Sequence, residues 1–161
     1  MKTLLIPTDF KLRSLNAVSR LVDTHYPEKI NIVMVHLLGI TDAMGELEML
    51  SRRSAEYRLV SDEFYASCTR LKKQYPDQIK NINITFFYGY TMAAFRNFLE
   101  ANEVDAIVAL DNYDHEPITE KSIDPAKLIY RSGLEIISAS TLAIKAKTVA
   151  KPELELEEET V

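Results

Sequence analysis

The chain has one cysteine, no tryptophan and only four glycines in 161 residues. A lone Cys68 cannot close an internal disulfide, and a single thiol suits a reducing compartment. No apolar run reaches the roughly 20 residues that a membrane helix needs. Near the start, Leu4-Leu5-Ile6 is cut off by Pro7, too short for the apolar region of a signal peptide. These absences lead us to expect a cytoplasmic protein with no membrane partner. No His-x-x-x-His spacing is present, and no local Ser-His-Asp or Cys-His motif suggests nucleophilic catalysis. There is also no glycine between Gly89 and Gly133.

Charge of one sign is scarce outside the tail. Of 24 acidic residues, Glu153, Glu155, Glu157, Glu158 and Glu159 sit in the last nine positions. The remaining 19 acids balance 19 bases, so the body is neutral. A neutral body without a basic stripe argues against nucleic acid as a partner. Apolar residues at 47% and charged residues at 27% have the balance of a folded domain. We expect one α/β domain over residues 1–149 and a disordered acidic tail over 150–161.

Leu4-Leu5-Ile6-Pro7-Thr8-Asp9-Phe10 reads as a strand over 3–8 ending in a polar turn. Its apolar residues are consecutive, as in a strand covered on both faces. Ser14 is placed to cap a following helix, with Leu15, Val18, Leu21 and Val22 on one face. Ile30 to Leu38 is a second buried strand, which makes a βαβ unit with parallel pairing. Residues 42–75 keep a helical stripe, with the packed helix expected over 52–75 and ended by Pro76-Asp77. Strands follow at Ile82 to Tyr88, Asp105 to Leu110 and Glu135 to Ser140. Between them, Thr91 caps a helix with Met92, Phe95, Phe98 and Leu99 inward, and Asp124-Pro125 opens a short helix over 125–132 that ends at Gly133. Thr141 to Lys147 alternates and reads as an edge extension or a pairing strand. This β-α repetition predicts a three-layer, doubly wound α/β sandwich with its ligand crevice at the carboxyl ends of the strands.

In this order the chain resembles the universal stress protein family from residue 2 to about 140. Leu5-Ile6-Pro7-Thr8-Asp9-Phe10, Met34-Val35-His36-Leu37, Gly89 before a helix and Asp105-Ala106-Ile107-Val108 carry the likeness. The resemblance implies an adenine nucleotide alpha hydrolase-like fold, with a five-stranded parallel sheet in the order 3-2-1-4-5. It also implies a homodimer through the fifth strand region. Many members bind ATP, and the likeness implies a nucleoside crevice at Pro7, Thr8, Asp9 and Leu37, with Asp9 in the position that reads adenine.

The chain departs from that pattern where the phosphates would bind. Leu110 and Tyr113 stand at the positions of the two glycines after the fourth strand. A phosphate loop needs glycine so that backbone N–H groups turn inward and the ligand comes close. Asp111, Asp114 and Glu116 add like charge against phosphate, opposed only by His115 and Lys121. Ser122 has no glycine beside it. ATP and AMP are therefore disfavoured, and no cofactor is expected.

Each candidate site has a plainer reading. Asp9 contacts a base or ribose, or it satisfies turn N–H groups. Asp111, Asp114, His115 and Glu116 supply metal or acid-base groups, or form a solvated loop. His36 is a base, or a hydrogen-bonded strand-end histidine. Cys68 is a nucleophile, or an inert thiol on an apolar helix stripe. The leading expectation is a homodimeric, stress-linked regulatory or interaction protein with an unidentified protein partner and a degenerate nucleotide site. Next comes a nucleoside or small-ligand binder using Asp9. A weakly active hydrolase ranks last.

Overall fold

A computed structural model describes residues 1–39, 57–89, 91–111 and 113–141. The expected edge segment from residue 142 onward, the acidic tail and the first part of the 42–75 stripe lie outside the described residues.

Five strands form one parallel sheet: β1 (Lys2–Pro7), β2 (Ile30–Leu38), β3 (Ile79–Tyr88), β4 (Ala106–Asp111) and β5 (Glu135–Ser140). Their order is β3-β2-β1-β4-β5, so the strand order reverses at β1. β1 lies centrally because every residue from Thr3 to Pro7 is apolar or readily buried, and all five are buried. Its start is clamped to β4 by a reciprocal pair. Asp105 N–H donates to the Thr3 carbonyl at 2.9 Å, and Thr3 N–H donates to Asp105 Oδ2 at 2.8 Å.

Side chains alternate between the two faces of the sheet. Leu4, Ile6, Ile32, Met34, Ala106 and Val108 face the first core, which is covered by α1 (Val18–His25) and α2 (Asp62–Gln74). Leu5, Val33, Val35, Ile107 and Ala109 face the second, covered by α3 (Met92–Ala101) and the short α4 (Ala126–Ile129). Phe64 of α2 and Phe95 of α3 are fully buried, one on each side. This is the expected three-layer sandwich.

Local chemistry explains the helix ends. Ser61 Oγ accepts from Phe64 N–H, and Thr91 Oγ1 accepts from Ala94 N–H, each at 3.1 Å. Asp124 Oδ1 accepts from Ala126 N–H at 3.1 Å. Gly133 takes φ +87°, a backbone state that costs little only for glycine.

Several expectations need correction. Ser14 caps no helix. It sits buried inside a 3-10 segment, Leu12–Ala17, that precedes α1, and its hydroxyl donates to the Lys11 carbonyl at 2.8 Å. Among the described residues the expected 52–75 helix is interrupted: Tyr57 is helical, residues 58–61 turn, and α2 starts at Asp62 with Ser61 as its N-cap. The short fourth helix spans only 126–129 before turning to Gly133. β3 starts three residues earlier than expected, since Ile79 is buried and pairs with Ile30.

Candidate functional site

The reversal of strand order at β1 opens the crevice at the turn Thr8-Asp9-Phe10. The turn is built by hydrogen bonds. Thr8 N–H donates to the Val35 carbonyl at 2.8 Å, holding the turn against β2. Thr8 Oγ1 accepts from Phe10 N–H at 2.9 Å and lies 2.7 Å from Ser14 Oγ. Because the Ser14 hydroxyl is spent on Lys11, the Thr8 hydroxyl is the donor of that pair. Phe10 sits at φ +61°, a left-handed state that a phenylalanine rarely adopts. Its ring is held in place at 5.3 Å from Phe86 and 5.4 Å from Phe64.

Asp9 is almost wholly buried, at 1% exposure. Its Oδ1 accepts from the Tyr113 hydroxyl at 2.6 Å and from Lys11 N–H at 3.1 Å. Its Oδ2 accepts from Glu116 N–H at 3.0 Å. Both oxygens therefore serve the protein's own chain. The expected plainer role of a turn aspartate is present, and two of its three donors come from the distant loop after β4.

That loop crosses the mouth of the crevice and is fastened along its length. Arg13 stacks its guanidinium 4.9 Å from the Tyr113 ring centre, and Tyr113 packs edge-on to His115 at 4.8 Å. Glu116 pairs with Arg13 at 3.4 Å and Lys11 at 3.6 Å, both exposed bridges of small energetic weight. Further along, Ile123 N–H donates to the Leu37 carbonyl at 2.9 Å, and Gly39 N–H donates to the Lys121 carbonyl at 2.8 Å. The loop thus joins the end of β2 as a short antiparallel bridge between Leu38 and Ser122.

Ser122 is the hub of this fastening. Its Oγ accepts from Ile118 N–H at 3.0 Å and Thr119 N–H at 3.2 Å. With both lone pairs engaged, the hydroxyl donates to His36 Nε2, 2.7 Å away. His36 Nδ1 lies 2.7 Å from the Thr8 carbonyl, which only accepts, so the proton is on Nδ1. The partners fix one neutral tautomer. Burial lowers the pKa of His36, while the Thr8 carbonyl and Asp9 pull the other way.

The remaining space is modest. A cavity of about 340 Å³ lies between Thr8, His36, Leu37 and the loop residues Tyr113 to Pro117 and Ser122 to Pro125. A second, of about 440 Å³, lies on the other side of Tyr113 and His115, against Pro7, Leu110 and Tyr130. Asp114, Glu116 and Asp124 line the first, and among the described residues no lysine or arginine does. Burial lowers the pKa of His115, whose Nδ1 is buried without a hydrogen-bond partner among the described residues.

The structure brings Thr8, Leu37, His36 and Ser122 to one cavity and puts Pro7 on the neighbouring one. Asp9 lies behind the loop instead of lining either cavity. Asp111 is exposed at the end of β4, apart from Asp114, His115 and Glu116. Among the described residues no group of three or more His, Cys, Asp or Glu side chains could hold a metal ion. Cys68 is buried, and burial raises its thiol pKa to about 11. Tyr113 fills a position where the resemblance implies glycine, and its hydroxyl reaches Asp9, a contact that no spacing along the chain signals. Ser122 has no glycine beside it, and its hub role depends on contacts no local motif encodes.

Comparison with known proteins places the fold. No family model matches the sequence, and no curated protein matches it. Solved structures do. The universal stress protein from Archaeoglobus fulgidus is 9% identical, with a TM-score of 0.50 over 86% of this chain and 93% of that one. The same organism's protein in complex with dAMP is 10% identical, with a TM-score of 0.49 over 86% and 98%. Universal stress protein UspA from Lactobacillus plantarum is 14% identical, with a TM-score of 0.49 over 86% and 97%. The chain has the universal stress protein fold, with the five-stranded sheet in the order 3-2-1-4-5. No described helix is long and apolar enough to cross a membrane.

Proposed function

We propose that this is a universal-stress-protein-like regulatory or interaction protein that does not bind ATP through a phosphate loop. One observation carries the reading. The Asp9 carboxylate is buried, and both of its oxygens accept from the chain's own Tyr113, Lys11 and Glu116, so it is not presented to a nucleotide base. Leu110 and Tyr113 in place of small residues, and the carboxylates on the cavity wall, agree with it. The direct test is thermal denaturation with and without ATP and magnesium. An unchanged midpoint is expected, and a clear rise with micromolar binding overturns the reading.

The assembly belongs to the same proposal: a homodimer formed through the fifth strand region. β5 is a sheet edge, and Ile136 and Ile137 remain partly exposed there. Sedimentation equilibrium should give twice the chain mass, and a monomer would overturn this part.

A second reading is favoured by the cavity beside Thr8 and Leu37, which suits a small ligand with no phosphate, such as a nucleoside. Titration with adenosine checks it, and the absence of any stabilisation by nucleosides removes it. Nothing in the described residues favours the hydrolase reading.

A further inference from the structure

We propose that residues 113–123 form an acid-released cover over the Asp9 crevice, with the His36–Ser122 hydrogen bond as its fastening. This rests on the reading of the loop as the crevice's resident occupant.

Donor and acceptor counts around His36 leave no room for a second proton in the closed loop. Ser122 Oγ already accepts two loop amides, Ile118 and Thr119, and its single proton goes to His36 Nε2. His36 Nδ1–H is committed to the Thr8 carbonyl. A second proton on His36 can go only to Nε2. It then turns the Ser122 contact into two facing donors, or forces Ser122 to accept three times. A hydroxyl oxygen has two lone pairs. The hydroxyl must rotate and surrender at least one loop amide, or the loop must lift.

The surroundings make this site hard to repair in place. His36 is buried, with the Phe10 ring at 5.7 Å and the Phe86 ring at 6.2 Å. The ionisable groups that act on the ring are Asp9 from the β1 turn and His115 from the loop; the loop's Asp114, Glu116 and Asp124 line the cavity that His36 shares, and Phe86 of β3 packs against the ring. Asp9 favours the imidazolium; burial and His115 oppose it, and burial is the largest influence. The neutral ring is thus the form compatible with the closed loop, and water is what the charged ring lacks.

The consequence reaches Asp9. The chain is continuous from Ser122 back to Glu116 and Tyr113, which hold the Asp9 carboxylate. Freeing the Ser122 end loosens that hold and opens the carboxylate and the Thr8-Leu37 floor to an outside hydrogen-bond donor. Asp9 itself gains a reason to be buried with three donors, since the closed state stores the acceptor until acid releases it.

Amide hydrogen exchange and imidazole NMR on the intact chain test the idea between about pH 7.5 and about pH 5, the range in which histidine charge changes. Protection at Ile118, Thr119 and Glu116 should fall by about tenfold for each unit by which the His36 pKa differs between closed and open loop. Protection at Leu5 and Val33 in the sheet should stay constant after correction for intrinsic exchange. His36→Gln should remove the part of the pH dependence that follows His36, leaving only that of His115, and Ser122→Ala should leave the loop weakly protected at every pH. If either variant fails to fold, the wild-type midpoints decide. His36 protonation and loop exchange titrating together supports the proposal, and loop amides that stay protected after His36 is charged overturn it. The same pH profile in His36→Gln also overturns it. ATP binding at neutral pH would overturn the no-ATP reading and leave this result untouched, so the two failures are distinguishable.

Discussion

The phenol of Tyr113 and the carboxylate of Asp9 lie 104 residues apart in the chain and 2.6 Å apart in the fold. The pair connects the centre of the sheet to the loop that crosses it. A hydrogen bond to a buried carboxylate contributes more than a neutral one, about 1.5–3 kcal/mol.

Tyr113→Phe should therefore destabilise the protein by about 1–2 kcal/mol, at the low end because Tyr113 is only half-buried. Urea denaturation measures this. Burial, then the Asp9 bond, raises the Tyr113 pKa above the ordinary 10.0. The folded state holds that proton more tightly than the unfolded chain, so wild-type stability should decline above about pH 10, and less steeply in Tyr113→Phe.

Nucleotide should leave the protein unmoved. A ligand present at its own Kd stabilises by about 0.4 kcal/mol. For a domain of this size that is about 1 °C in Tm. With millimolar ATP and magnesium, differential scanning fluorimetry should show a smaller change than this.

Acid should weaken the fold before carboxylates are protonated. His36 and His115 both have pKa values lowered from 6.5, chiefly by burial. Between that value and the lower folded one, the unfolded chain binds more protons, so stability falls as pH falls. Chemical denaturation at a series of pH values should show the loss beginning just below about pH 6.5, reduced in His36→Gln.

Cys68 should be unreactive while the protein is folded. Its thiol is pushed up to about 11 and buried, so the thiolate is scarce at neutral pH. A chromogenic disulfide reagent should label it quickly only in denaturant. Rapid labelling of the native protein at pH 7.5 would contradict the burial.

Phe64→Ala and Phe95→Ala each empty a fully buried ring site and should cost about 3–5 kcal/mol. They belong to different cores on opposite faces of the sheet. The double variant should be close to additive, as for sites that share no partners. Calorimetry or urea titration of the three variants checks this.

The sheet was legible because its strands are continuous apolar runs. Ile30 to Leu38 cannot be solvated on either face, so a buried parallel strand is the economical outcome. Thr91 was legible as an N-cap for a similar local reason, since a threonine at the start of an apolar 3.6-residue pattern satisfies free amides. Ser14 is not the helix cap its position suggested, and Ser61 is one. Serine can accept from a helix amide or bond back to a nearby carbonyl, and only the surrounding contacts decide which.

By itself, the sequence determined the layered α/β fold, the turn at Asp9 and the absence of a glycine phosphate loop. Each rests on periodicity or backbone freedom, which act within a few residues. Only the tertiary structure decided that Asp9 faces Tyr113 and Glu116, and that Ser122 fastens the loop to His36. Those contacts join residues 86 to 107 positions apart. Their geometry exists only once β1, β2 and β4 lie side by side, because hydrogen bonds need distances and directions that spacing along a chain does not encode.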